Sequence, residues 1–206
     1  MEKVRGDLPL AVPAPRTMTE EEFEAWCDED IKAEWVDGEV IVHSPALDRH
    51  VLLTGFLLNT MGLFARHHDS GVVMGPEFQI RLPGRRRVPD VLFVRKERRD
   101  LIRPTYLDGP PDLIVEIVSP DSVERDWREK YLEYEAHGVP EYWVIDPSNK
   151  QARVYVLNEQ RQYVTASEED GALKSTALAG FWLRAEWLWQ DPLPNPLEVL
   201  RQLNVI

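Results

Sequence analysis

Three near-continuous apolar runs limit what this chain can fold into: VPDVLFV at 88–94, LIVEIV at 113–118 and YWVI at 142–145. Strands this apolar belong inside a sheet that is covered on both faces. Between the second and third runs lies SVERDWREKYLEYEAHG, at 122–138, a helix whose stop is marked by Gly138 and Pro140. Strand, helix and strand within about 30 residues make a crossover unit, so an α/β fold with parallel central strands is expected. Two of the runs carry a carboxylate, Asp90 and Glu116, at positions where burying a charge is expensive. Any account of function has to explain those two acids.

The remaining patterns organise the chain around this centre. Residues 1–18 read as an irregular, proline-rich arm, and 19–206 as a single domain with one core. Thr19 and Glu22 have the spacing of a capping box, so a short surface helix follows them. AEWVDGEVIVHS places an Asp37-Gly38 turn between apolar arms, a hairpin signal. From Leu47 to His67, Val51, Leu52, Gly55, Phe56, Leu58, Asn59 and Leu63 recur at helical spacing and predict a long helix with that face in the core. EFQIRL (77–82) alternates as a half-exposed strand, and ARVYVL (152–157) and RQYVTA (161–166) predict two more. The tail, GFWLRAEWLWQDPLPNPLEVLRQL, is expected to close one sheet edge and end in a short helix, and exposed tryptophans there would point to self-association.

Charge and composition exclude some partners. The longest apolar stretch, VLLTGFLL, is far short of the roughly 20 residues a membrane span needs. The lone cysteine, Cys27, cannot form an intramolecular disulfide, and no secretory leader pattern opens the chain, so a cytoplasmic location is expected. A net charge of −12 argues against an unspecialised nucleic-acid binder. However, residues 81–103 hold nine basic and three acidic side chains, a local +6 against −18 for the remainder. Two readings of that window are open: a phosphate-contacting surface, with Arg85, Arg86 and Arg87 as its candidates, or a solvated arginine-rich loop.

Strand alternation puts Asp90 on one side with Leu92 and Val94, and Glu116 with Ile114 and Val118. If the two strands are neighbours, the carboxylates converge, and a divalent cation would resolve their repulsion. Oxygen-only ligation suits Mg²⁺ or Mn²⁺ better than Zn²⁺, for which no Cys/His spacing exists. Asp126, Lys130 and Tyr134 fall at i, i+4 and i+8 and share the helix face that the crossover lays on the sheet. Lys130 can therefore reach back to Glu116, which suits phosphodiester hydrolysis. The alternative is a buried ion pair between Glu116 and Lys130 with no metal.

VPDVLFV, PPDLIVEIVSPDSVERDWREKYLEYEAHGVPEYWVIDP and AEWVDGEVIVHSPALDRH together resemble the Uma-two family of restriction-endonuclease-like proteins, within the PD-(D/E)XK nuclease superfamily. The resemblance spans about Thr19 to Leu157. It implies a restriction-endonuclease-like core, a mixed central β-sheet flanked by helices, acting on DNA, with duplex as the expected form. It also implies a Mg²⁺ or Mn²⁺ ion held at Asp90, Glu116 and Ile117. Asp90 matches the motif aspartate and Glu116 the acid of the E-X-K element, but the lysine position is Val118, and Lys130 matches the lysine moved to the following helix. Glu34 matches a family glutamate that adds a carboxylate near the metal, the alternative being a strand-end charge facing solvent. His50 matches a position that contacts phosphate or carries a proton. Asp126, Tyr134, Gly138, Tyr142, Trp143 and Asp146 match as architecture.

Two functions from different classes fit these residues. One is a metal-dependent endodeoxyribonuclease, for which cutting both strands of a duplex favours a homodimer. The other is a catalytically silent nuclease fold kept as a binding or assembly module, as the displaced lysine and the acidic surface would suggest. On the sequence alone, Asp90→Asn is expected to abolish cleavage while leaving the melting temperature similar or higher, because a repelling charge is removed.

Overall fold

A computed structural model describes residues 17–27, 31–42, 47–120, 122–166 and 170–206. The first sixteen residues of the proline-rich arm, and residues 28–30 and 43–46 of the motif segments, lie outside the described residues.

The local signals near the start of the chain act as their chemistry requires. The Thr19 amide donates to Glu22 Oε2 at 2.8 Å and the Glu22 amide to Thr19 Oγ1 at 3.2 Å, which starts α1 (Glu20–Trp26). Asp37 (φ 48°) and Gly38 (φ 96°) both take positive φ, the geometry of a tight hairpin turn, between β1 (Ala33–Val36) and β2 (Glu39–Val42). The long helix, α2, runs from Asp48 to His67. Its phase differs from the expectation. Val51, Leu52 and Leu63 are exposed, while Leu53, Phe56, Leu57, Met61 and Phe64 are buried. Apolar residues occur nearly all round this helix, so periodicity alone does not choose the stripe that packs inward.

Next come β3 (Gly71–Met74), β4 (Gln79–Leu82), β5 (Arg85–Arg87), β6 (Val91–Arg95), β7 (Tyr106–Asp108) and β8 (Leu113–Ile117). β4 begins later than the alternating pattern suggests, because Glu77 takes φ 92°. A π-helical turn, Arg125–Glu129, leads into α3 (Lys130–His137), which stops at Gly138 in the left-handed conformation at φ 76°. β9 (Glu141–Asp146), β10 (Gln151–Leu157), β11 (Tyr163–Thr165), β12 (Ala172–Lys174), β13 (Trp182–Arg184) and α4 (Pro196–Gln202) follow.

The strands form a six-stranded sheet in the order β11-β10-β9-β8-β6-β3, a five-stranded sheet β2-β1-β5-β4-β7, and the pair β12-β13. β8 and β9 are parallel and are joined by the α3 crossover; β6 runs antiparallel beside β8, so the sheet is mixed. One face of the six-stranded sheet (Val91, Phe93, Val115, Ile117, Trp143, Ile145) packs under α2 and the C-terminal segment from Leu173 to Val205. The tail thus covers a face rather than closing an edge. Its aromatic rings belong to that packing, with Trp187 buried and 5.6 Å from Trp182 between ring centroids, so the motive for self-association through them is gone. The other face (Leu92, Val94, Ile114, Val118, Tyr142, Val144) meets Ile80, Leu82 and Leu107 of the five-stranded sheet and Tyr134 of α3. The acids of the sequence motifs point into this seam between the sheets.

Candidate active site

In the β6–β8 pair Val91 stands opposite Val115, and one more step of the same register brings Asp90 opposite Glu116. Side chains so placed have Cβ atoms about 4.5–5.5 Å apart. Asp90 is tied across the pair, since the Ile117 amide donates to its Oδ2 at 2.8 Å. His50, in the first turn of α2, meets the same oxygen through Nε2 at 3.1 Å. β1 brings Glu34, fully buried, from the other sheet. Its Oε1 accepts from the Val88 amide at 3.1 Å, its Oε2 accepts from Arg87 Nη1 at 2.9 Å, and Lys130 Nζ lies 3.7 Å away. The solvent-facing alternative for Glu34 is excluded.

α3 supplies the cation. Lys130, only 3% exposed, places Nζ 2.9 Å from Glu116 Oε1 and 3.3 Å from Asp126 Oδ1. Tyr134 OH donates to the same Glu116 oxygen at 2.8 Å. The π turn ahead of Lys130 is fastened at Asp126: Tyr142 OH donates to its carbonyl at 2.7 Å, and Ser122 Oγ donates to its carboxylate. π turns of this kind frequently mark functional sites.

The environment separates the two motif acids. Burial, reinforced by the charges of Asp90, Asp126 and Glu34, pushes the Glu116 carboxyl up to about 8 in spite of Lys130. Burial pushes Asp90 in the same direction, yet the His50 and Ile117 hydrogen bonds and the Lys130 charge hold it below the usual carboxylate range. Burial also opposes the Lys130 charge, but Glu116, Glu34 and Asp126 overcome it and hold the ammonium above its ordinary range. Burial keeps Tyr134 and Tyr142 well above the usual phenol range, so both remain neutral donors. The surroundings thus shift the two motif acids in opposite directions.

A hard cation fits this donor set. The hydrogen bonds named above use Asp90 Oδ2 and Glu116 Oε1, leaving Asp90 Oδ1 and Glu116 Oε2 outside them. Among the described residues no group of three or more His, Cys, Asp or Glu side chains is arranged to hold a metal by itself. An ion at Asp90 and Glu116 would therefore complete its shell with water, a backbone carbonyl and substrate oxygen, as Mg²⁺ and Mn²⁺ do.

The family model described as Uma2, putative restriction endonuclease, matches residues 20–186. The chain belongs to this family. No curated protein matches it. A crystal structure of a putative nuclease belonging to DUF820 from Anabaena variabilis ATCC 29413 superposes on the Uma2 chain with a TM-score of 0.72 at 19% identity, covering 84% of this chain and 97% of that one. At that identity the likeness shows the fold, a restriction-endonuclease-like mixed sheet flanked by helices. No helix among the described residues of the Uma2 chain is long and apolar enough to cross a membrane.

One expectation is overturned. Arg86 and Arg87 are 1% and 2% exposed and do not form a phosphate-facing surface. Arg87 donates from Nε and Nη2 to the two oxygens of Glu133 at 2.9 and 2.6 Å and from Nη1 to Glu34. Arg86 pairs with Glu20 and Glu24 of α1, and Arg85 with Asp37 and Glu133. Across 81–103, eight of the nine basic residues are ion-paired, every partner coming from outside the window. Glu133 is a site residue that sequence reasoning missed. Its only signal is that it lies three residues past Lys130, on the neighbouring strip of the same helix face.

Proposed function

We propose that this Uma2 chain is a Mg²⁺- or Mn²⁺-dependent endonuclease that hydrolyses DNA phosphodiester bonds. One observation carries the reading: two opposed carboxylates, each with one oxygen fixed by hydrogen bonds and the other outside them, stand beside a lysine brought in from the crossover helix. Asp90, Glu116 and the Ile117 carbonyl would hold the ion. When bound, it would supply Lewis-acid polarisation of the phosphate and neutralise charge in the transition state.

The protein groups divide the remaining work. Lys130, held as an ammonium, donates toward a phosphate oxygen or the attacking water and cannot serve as a base at neutral pH. His50, on Asp90 and partly open to solvent, is placed to carry the proton away. Glu34 joins Lys130 to Arg87 and sets the position of both. Cutting both strands of a duplex calls for two such centres, hence a two-fold homodimer.

The test is nicking of plasmid DNA with Mg²⁺ or Mn²⁺ by the wild type and by Asp90→Asn. Cleavage is expected for the first alone, and undiminished cleavage by the variant refutes the assignment. A silent binding module is the second reading, favoured by Val118 at the strand lysine position and by the pairing of the basic window. Calorimetric titration with Mn²⁺ separates them, since no uptake at millimolar concentration supports the module.

A further inference from the structure

The five-stranded sheet has a second face, turned away from the acids. Along β4 and β7, Ile80, Leu82 and Leu107 point into the seam, so Gln79, Arg81 and Tyr106 point the other way. There they line a groove of about 940 Å³ between α1, the 75–78 turn and the first residues of β1, β4 and β7. Its wall combines planes and charges. The Arg81 guanidinium lies 4.9 Å from the Tyr106 ring centroid, with Phe78 nearby in the lining, while Arg86, 4.5 Å from the same centroid, is buried and backs the ring rather than presenting a free plane. Arg81 is paired with Asp108 but its side chain stays 37% exposed, and Lys32 has no ion-pair partner among the described residues. Glu77 lines the same turn at φ 92°, a backbone conformation that a non-glycine residue holds only under strain, as at ligand clamps.

One lining residue links the groove to the candidate active site across the sheet. Val88 lines it, and the Val88 amide is the one that holds Glu34. Asp90 is two residues further on, so the two Cα atoms are separated by no more than about 7.6 Å.

We infer that this groove receives one unpaired nucleotide of the DNA strand being cut, next to the scissile phosphate; this rests on the nuclease reading above. The volume is at the upper end of the roughly 300–1,000 Å³ of small-ligand pockets and so accommodates a base with its sugar and phosphate. Aromatic and guanidinium planes are the surfaces on which unpaired bases stack. Lys32 offers a cation to the phosphate, and the Gln79 amide and Glu77 carboxylate offer hydrogen-bonding groups to a base edge. Glu24 and Glu77 in the lining, within a chain of net charge −12, oppose the denser charge of a whole duplex.

The experiment uses single-stranded 12-mers carrying 2-aminopurine, titrated with the full chain in EDTA, where no cleavage occurs. Quenching of the 2-aminopurine fluorescence is expected on binding. Phe78→Ala and Lys32→Ala should each weaken binding at least tenfold, with melting temperature checked for both; Lys32→Ala serves if Phe78→Ala fails to fold. Absence of quenching with the wild type, or wild-type affinity in the folded variants, overturns the proposal. Nicking of plasmid DNA with Mn²⁺ is scored separately. Oligonucleotide binding without nicking keeps the groove as a single-strand site and removes its place beside a scissile phosphate; nicking without oligonucleotide binding keeps the nuclease reading and overturns this inference.

Discussion

Lys130 Nζ lies 2.9 Å from Glu116 Oε1, the lysine on the crossover helix and the acid on the strand before it. Even with that ammonium in contact, the Glu116 carboxyl is raised to about 8, because burial and three neighbouring anions outweigh one cation.

A stability consequence follows from that shift. The unfolded chain loses the Glu116 proton near its ordinary value, 4.5, and the folded chain keeps it to about 8. Between those values the folded state binds more protons, so the group's contribution to stability falls as pH rises through the window and is flat above it. Glu116→Gln removes this dependence. Urea denaturation of both proteins from pH 5 to 8.5 should show the variant gaining relative to the wild type as pH rises; parallel curves would contradict the shift.

Asp90 behaves in the opposite sense. Its folded carboxyl is depressed, so it adds stability above its unfolded value and loses it as pH falls through the folded one. Asp90→Asn therefore replaces charge-assisted hydrogen bonds by neutral ones, at a cost of about 1 kcal/mol. The melting temperature should fall by about 2–4 °C for a domain of this size, in place of the unchanged or raised value expected from the sequence. Differential scanning calorimetry at pH 7 checks it.

Arg87 is a structural ion rather than a DNA contact. Arg87→Lys cannot keep both Glu133 bonds and the Glu34 bond, and should destabilise by about 3 kcal/mol, near the lower figure for breaking a buried pair. Its DNA affinity should show an unchanged slope against salt, whereas loss of a phosphate contact would reduce that slope by about 0.9. Chemical denaturation and a salt series of binding curves measure the two effects.

Tyr142→Phe tests the π turn. Removing the hydroxyl leaves the buried Asp126 carbonyl without that donor, at about 1–3 kcal/mol. Because Asp126 holds Lys130, cleavage should slow through kcat with KM little changed. An unaltered kcat in a destabilised variant would limit Tyr142 to packing.

Much of the seam was legible because strand side chains alternate with period two: Asp90 and Glu116 declared their shared face through Leu92, Val94, Ile114 and Val118. Lys130 was legible through its spacing from Asp126 and Tyr134, although the π turn between Asp126 and Lys130 leaves no mark in a count of residues. The fate of the arginines was not legible. A positive side chain does not say which carboxylate it will meet, and here Glu20, Glu24, Glu34 and Glu133 come from segments distant in sequence. The phase of α2 was hidden for the opposite reason, an excess of apolar residues on every side.

The candidate site groups are divided between two sheets, Glu34 and Arg87 on one, Glu116 on the other with Asp90 just ahead of its β6 strand, and side chains packed in the seam help to hold the halves in register. Hydrolysis thus reports on docking more sensitively than circular dichroism does. Mild heat or low denaturant should silence the protein while each layer still keeps its hydrogen-bonded ladder.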